Sequence, residues 1–384
     1  PDCLLCIAMS TILYFLPLLV LFTVLAVWAE RKIGGYIQDR LGPTEVGYYG
    51  LLQTVADLLK LLTKEDIVPI KADKWLYKIA PVIIFVAVFT GFSVLPLTSG
   101  WRGAGLETGV YFLLAIVSLD VFGLLMAGWS ANSKYTLYGA IRSVSQIISY
   151  EIPLGLTVIA VAMISQSLDL QEISYQQSTF WDHKAAGVSQ GLFGIISSVD
   201  MSQVGGIFLW NIFRYPLLIP AFLIFFIASL AESNRAPFDL PEAESEIVGG
   251  FHTEYSGFRW ALVMLSEYGV MLLVSFLSAV MFLGSWNSPF PNIGSMRLAD
   301  WTNGVPGTVL GLVLEIPNAC FIDHHLWGSF LEIMDACLVD YEKEKHLFAK
   351  YKRRFQNSHY GFEIDDKAWR GHWQKSFFHR SYLE

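Results

Sequence analysis

Three acidic side chains stand where acids are costly. Asp120, Glu151 and Glu267 each interrupt an otherwise uncharged apolar run. Carrying an ionised carboxylate to the centre of a bilayer costs on the order of 2.5–3.5 kcal/mol on insertion scales. Three separate runs bear that cost. Acids in such places usually face a bundle interior or a water-filled cavity and mark ion or proton paths. A row of carboxyls sheltered from water can hold a proton and pass it on. The plainer reading is interhelical hydrogen bonding by protonated acids, without transport.

A second acidic group lies in one loop. Residues 232–254 read ESNRAPFDLPEAESEIVGGFHTE, with Glu232, Asp239, Glu242, Glu244, Glu246 and Glu254 set against one cation, Arg235. Asp239 ahead of Pro241 predicts a short helix from about residue 240. Glu242 and Glu246 would then share a face at i,i+4, an unfavourable spacing for like charges. A basic partner opposite, or protonation of some of the acids, would relieve it. A solvated acidic loop is the alternative, but the flanking Pro237-Phe238 and Ile247-Val248-Gly249-Gly250 have the composition of packed chain.

Other chemistry is sparse. The four cysteines are Cys3, Cys6, Cys320 and Cys337, and Cys3-x-x-Cys6 opens an apolar run with no second pair, so no metal or redox role is expected there. His324-His325 beside Asp323 is a weak metal signal, and no metal site is assigned. With 26 basic and 34 acidic residues, a net charge of −8 and no dominant basic stripe, the chain does not have the footprint of a nucleic-acid binder. No haem, flavin or cluster motif is present, so any electrons would come from a partner.

The elements that must position these acids are membrane helices. The 384 residues are 54% hydrophobic and only 16% charged, against roughly 25% charged in a typical soluble domain. Six runs are long enough, or nearly so, for the ~20 residues that a bilayer-spanning helix needs. They are Leu4–Ala29, Ile79–Trp101, Thr108–Ser133, Ser143–Ser167, Tyr215–Ala231 and Trp260–Trp286, the fifth being short. The first lacks a basic leader and a cleavage site, so it reads as a retained helix. Pro17, Pro153 and Pro220 are tolerated because neighbouring helices re-satisfy the backbone. The fold class is all-α: a polytopic membrane helix bundle with six clear transmembrane helices and a marginal seventh over 305–330.

Loop charge sets the orientation. Segment 30–78 carries eight Lys/Arg and segment 98–107 only Arg102, so the former is expected inside and the N-terminus outside. Loops 134–142 and 232–259 then fall inside. Loop 168–206, whose one basic residue is Lys184, falls outside. Within the first inside loop, Leu51, Leu52, Val55, Leu58, Leu59 and Leu62 recur at threes and fours over residues 44–63, with Asp57 and Lys60 towards the polar side. That pattern is an amphipathic helix, either lying in the membrane interface or buried among the others.

Two loop motifs carry a resemblance. Glu30-Arg31-Lys32 followed by GGYIQDRLGPTEVGYYGLLQTVADLLKLLTKE, and AESNRAPFDLPEAESE at 231–246 followed by Glu254-Tyr255, resemble the inside loops of the quinone-site membrane subunit of respiratory complex I. This is the family of the H subunit of NADH–quinone oxidoreductase in bacteria and of subunit 1 in mitochondria. RSVSQIISYEIP at 142–153 resembles its fourth helix entry, and the likeness runs from about residue 10 to 290. The resemblance implies a long chamber for ubiquinone or menaquinone, which is a substrate, with no cofactor held by this chain. Electrons would arrive from an iron–sulfur cluster of a neighbouring subunit, so no residue here is catalytic alone. By matching position, Arg31, Arg40, Asp57, Lys60 and Arg235 would line the chamber or its junction with the hydrophilic arm. Asp120, Glu151, Glu232, Asp239, Glu242, Glu244, Glu246 and Glu267 would be proton-coupling carboxylates. Helix one, the amphipathic helix and helix six would frame the quinone entrance. The implied partners are the iron–sulfur and quinone-module subunits of the hydrophilic arm, small membrane subunits leading to antiporter-like ones, and the lipid bilayer. The implied place is a bacterial inner membrane, or a mitochondrial inner membrane if organellar.

The chemistry of a quinone fits these residues. An isoprenoid with a polar head needs an apolar route and polar groups at depth, and its reduction takes up two protons. The chain departs from the family after residue 330. Two further helices are expected there, whereas 331–384 is a polar tail of unknown role with ten Lys/Arg between Lys343 and Arg380. Residues 1–330 are therefore read as the transmembrane domain and 331–384 as a separate tail. Competing readings are the equivalent subunit of a hydrogenase-type ion pump without quinone, a secondary transporter and a structural anchor for the hydrophilic arm. No inverted internal repeat supports the transporter.

Overall fold

The computed structural model describes residues 4–292, apart from 39, 99–100, 179–190, 193–195, 201–204, 236 and 242–243. Eleven α-helices order these residues. They are α1 (Leu4–Ile37), α2 (Gln53–Thr63), α3 (Lys74–Gly91), α4 (Gly109–Val117), α5 (Leu119–Ser130), α6 (Lys134–Ser165), α7 (Leu170–Tyr175), α8 (Asn211–Arg214), α9 (Leu218–Glu232), α10 (Glu244–Ile247) and α11 (Gly257–Phe282). Two short antiparallel pairs sit in the loops: β1 (Pro96–Thr98) with β2 (Trp101–Arg102), and β3 (Gly191–Leu192) with β4 (Ile196–Asp200). The all-α membrane bundle is borne out. The marginal seventh span and the tail 331–384 lie outside the described residues.

Among the described residues, five helical stretches are long and apolar enough to cross a membrane: Ile12–Tyr36, Lys74–Val94, Gly109–Ser130, Lys134–Ser165 and Gly257–Phe282. Six were expected. The difference is α9, whose 15 residues reach only about 22 Å at 1.5 Å per residue. It cannot extend backwards, because Pro216 disfavours helical geometry in the residue before it. Tyr215 is accordingly extended at φ −122° and ψ 94°, which separates α9 from α8. Pro220 is tolerated because it falls in the first turn of α9, where backbone N–H groups have no intrahelical acceptor. In the third span α4 and α5 meet at Ser118, which keeps helical angles at φ −57° and ψ −20°.

Helix α11 is the centre of the bundle. Every residue from Tyr268 to Phe282 is buried, as expected of a helix that is apolar all round. It packs on α3 and α1, while α6 packs on α9 and α5, and α3 on α5. The outer helices keep apolar faces uncovered: Ile148, Ile152, Leu156 and Met163 on α6, and Leu13 and Leu21 on α1, are all exposed. A contiguous apolar stripe at helical spacing suits a hydrocarbon environment.

The amphipathic helix is shorter than its pattern. A 3-10 turn at Tyr48–Gly50 precedes α2, which begins at Gln53. Its leucines do not enter the core; Leu52, Leu59 and Leu62 are all more than half exposed. That favours the interfacial alternative over the buried one. The end of α2 is fastened to the start of α11: Ser256 donates to Glu65 O at 3.3 Å and accepts from Ile67 N–H at 3.2 Å. Gly257 sits there at φ +61°, with three backbone carbonyls of residues 61–65 packed where a Cβ would point.

Candidate functional site

Two of the three acids that interrupt apolar runs meet in one place, joined there by the first acid of the loop. A cavity of about 20 Å³ is lined by Asp120 from α5, Glu232 from the end of α9 and Glu267 from α11. Ser233, Asn234 and Ser266 add polar lining, and Ile84, Leu124, Phe251, Val263 and Val270 close the rest. A cavity needs roughly 10–15 Å³ to admit one water, so this one has room for a water and not for a quinone ring. Oδ1 of Asp120 and Oε2 of Glu232 are buried in it without a hydrogen-bond partner among the described residues. Buried oxygens left this way carry a cost of about 1–3 kcal/mol each, which a bridging water or a shared proton relieves.

Local structure explains how Glu232 gets there. Helix α9 ends in a Schellman cap. Asn234 takes the left-handed conformation at φ +50°. Its N–H bonds Ala231 O at 3.4 Å, and the Arg235 N–H bonds Leu230 O at 3.2 Å. The cap turns the chain sharply, leaving Glu232 to Asn234 on the cavity and sending Arg235 away from it. From α6, the Gln146 side-chain amide secures this turn by reaching Ala231 O at 2.8 Å, Phe238 O at 2.9 Å and Asn234 Oδ1 at 3.2 Å. Tyr150 supports Phe238 edge-on, ring centroids 5.1 Å apart.

Glu151 stands beside the cavity and does not line it. Its Oε1 meets the hydroxyl of Ser118, and it is within electrostatic reach of Glu232. Glu246 has a basic partner, one of the two alternatives that the sequence offered, in Arg142 at 2.7 Å. The short helix begins at Glu244, later than the expected residue 240. Asp239 is half-buried in the same loop. Glu242 and the side chain of Glu244 lie outside the described residues.

The five residues expected at a chamber fall in three groups. Arg31 and Asp57 join α1 to α2 at 2.5 Å, with Gln53 also donating to Asp57 at 3.1 Å. Arg235 meets Glu30 at 3.3 Å and lies over the Tyr268 ring, 4.7 Å from its centroid. Tyr268 in turn donates to the other oxygen of Glu30 at 2.7 Å. Arg40 and Lys60 are exposed and join neither group. Lys32, beside Arg31, is buried, and its ammonium donates to Leu41 O at 3.0 Å and Pro43 O at 3.1 Å, which shapes the loop between α1 and α2.

Sequence reasoning missed Glu30, Tyr268, Gln146 and Ser118 as members of this arrangement. Each is a polar group at or inside an apolar run, next to or near a residue already singled out, and that adjacency was the available signal. Outside the helical spans, burial holds His252 down at about 4, so its imidazole is neutral at pH 7. Burial pushes Tyr255 up to about 12, partly offset by Ser130 and Arg259. Tyr255 stacks on Tyr77, centroids 4.3 Å apart, and Tyr77 donates to Glu254 O at 2.7 Å. These contacts hold the end of the acidic loop against α3.

Comparison with known proteins gives the family of the chain. A family model described as NADH dehydrogenase matches residues 9–322, further than the motifs alone reach. The chain is 55% identical over 304 residues to the second H subunit of the NADH-quinone oxidoreductase of Cytophaga hutchinsonii, covering 79% of this chain and 83% of that protein. It is 50% identical over 278 residues to the NADH-quinone oxidoreductase H subunit of Chlorobium luteolum, covering 72% and 68%. Against the H subunit of Chlorobaculum parvum the identity is 48% over 278 residues, covering 72% and 71%.

Proposed function

Because the chain belongs to the NADH dehydrogenase family, as the H subunit of complex I, we propose that it walls a quinone chamber and feeds quinone-linked protons into its buried carboxyls. The observation that carries this reading is the convergence of Asp120, Glu232 and Glu267, from three helices, on one water-sized cavity. Interhelical hydrogen bonding alone would pair these oxygens, whereas Asp120 Oδ1 and Glu232 Oε2 have no hydrogen-bond partner among the described residues.

The quinone takes two electrons from an iron–sulfur cluster of a partner subunit and two protons, becoming the quinol. Arg31, Arg40, Asp57, Lys60 and Arg235 are the groups of this chain that serve the chamber or its junction with the arm. The exposed leucine face of α2 beside α1 suits an isoprenoid tail. Tyr268, which contacts both Glu30 and Arg235, stands one residue along α11 from Glu267. A change of charge near Arg235 is therefore felt at the cavity through a single helix. Glu151, Asp239, Glu242, Glu244 and Glu246 extend the acidic route. The partners are the hydrophilic-arm and neighbouring membrane subunits of the complex, and the place of this multi-pass protein is a bacterial inner membrane.

The test is Glu232→Gln and Glu267→Gln in the assembled complex. Both variants are expected to assemble and to lose quinone reduction and proton pumping together. A structural anchor would retain both. A photoreactive quinone is expected to label residues near Asp57 or Arg235; absence of labelling favours a hydrogenase-type pump that uses no quinone.

A further inference from the structure

We infer that Ser118 is a positioning residue, whose hydroxyl holds the Glu151 carboxyl for proton exchange with the Glu232 side of the cavity. The inference rests on the proton-coupling reading above. It starts from the junction in the third span, where α4 ends at Val117 and α5 begins at Leu119. At this junction the Ser118 hydroxyl lies 2.8 Å from Leu114 O and also meets Glu151 Oε1 on α6. A hydroxyl has one proton and two lone-pair sites, so it can serve only one of these acceptors as donor at a time.

That restriction makes the hydroxyl useful. With Glu151 ionised, Ser118 donates to the carboxylate. Leu114 O is not orphaned, because it keeps the Ser118 backbone N–H at 3.2 Å. With Glu151 protonated, the acid donates to Ser118 Oγ, and the hydroxyl turns its own proton back to Leu114 O. No covalent bond changes in Ser118, and both protonation states of Glu151 are satisfied at the same place. The charged group in electrostatic reach of Glu151 is Glu232 at the end of α9, which is in reach of Asp120 as well. Glu246, on α10 against the same helix, is already paired with Arg142.

The experiment compares Ser118→Ala, Ser118→Thr, Ser118→Cys and Glu151→Gln in the membrane-embedded complex. It reads assembly on native gels, quinone-reduction turnover, and the carboxyl stretch in redox-difference infrared spectra that Glu151→Gln removes. Ser118→Ala is expected to lose turnover roughly tenfold, the scale of one hydrogen bond to a charged group, and to shift the Glu151 band. Ser118→Thr, which keeps a hydroxyl, is expected to restore both. If Ser118→Ala does not assemble, Ser118→Cys, near in size and a weak donor, is expected to show the same band shift. Normal turnover and an unmoved band in Ser118→Ala or Ser118→Cys, with Glu151→Gln impaired, overturn the role of Ser118 alone. Normal turnover in Glu151→Gln overturns the place of Glu151 in the coupling route as well.

Discussion

Replacing Gln146 by Leu isolates the bond set that keeps the acidic turn in shape. The two side chains are similar in volume, so the packing of α6 is little changed, but the amide disappears. Its NH₂ group reaches three acceptors, Ala231 O, Phe238 O and Asn234 Oδ1, with only two protons to share. Two hydrogen bonds at about 0.5–1.5 kcal/mol each are lost, and part-buried carbonyls are left without them, which pushes the cost towards 2–3 kcal/mol. At 1.4 kcal/mol per factor of ten, the turn at 231–238 opens roughly 30- to 150-fold more often. Hydrogen–deuterium exchange reads this directly. The N–H groups of Arg235 and Phe238, bonded to Leu230 O at 3.2 Å and Arg235 O at 2.8 Å, are expected to exchange faster by that factor. Amides in the middle of α3 are expected to be unaffected. Gln146→Glu is expected to be worse at neutral pH, since it sets a carboxylate against the same acceptors. Exchange within about threefold of wild type in 231–239 refutes the reasoning, because the Schellman cap would then hold the turn without help from α6.

Three further outcomes follow from the same structure. Gly139→Ala puts a Cβ 2.7 Å from the Gly250 backbone, so α6 and the 250–252 turn must separate; a loss of about 1–3 kcal/mol is expected, read as a lower Tm of the purified complex. The Arg142–Glu246 pair is about half exposed on both sides, so a double-mutant cycle is expected to give a coupling below about 1 kcal/mol. His252 titrates near 4 when folded and near 6.5 when unfolded, so its stabilising share is full above pH 6.5 and declines as pH falls towards 4. The unfolded chain binds the extra proton, and about 3 kcal/mol is at stake by pH 4. A His252→Gln variant is expected to show a flatter dependence of Tm on pH across that window, and an unchanged slope contradicts the assignment.

Much of the bundle was legible in the chain alone. Uncharged runs broken by single acids mark Asp120, Glu151 and Glu267 as costly, because the cost of a buried charge depends on the residues immediately around it. The leucine spacing of α2 was legible because periodicity is local too, and a basic partner for Glu246 was one of two alternatives that the sequence left open. Less visible were the effects of order and direction. Pro216 shortens α9 through a steric clash with the residue before it, and a hydropathy window passes over this.

What the sequence by itself determined is the class of protein and its inventory of acids, since hydrophobic runs and their interruptions are local quantities. Only the tertiary structure decided which acids line one water-sized cavity. Asp120, Glu232 and Glu267 are brought to one cavity, while Glu151 is held next door by Ser118 and Arg235 is turned towards Glu30. That sorting depends on how helices cross and on a left-handed cap at Asn234, and neither has a signature in the spacing of residues along the chain.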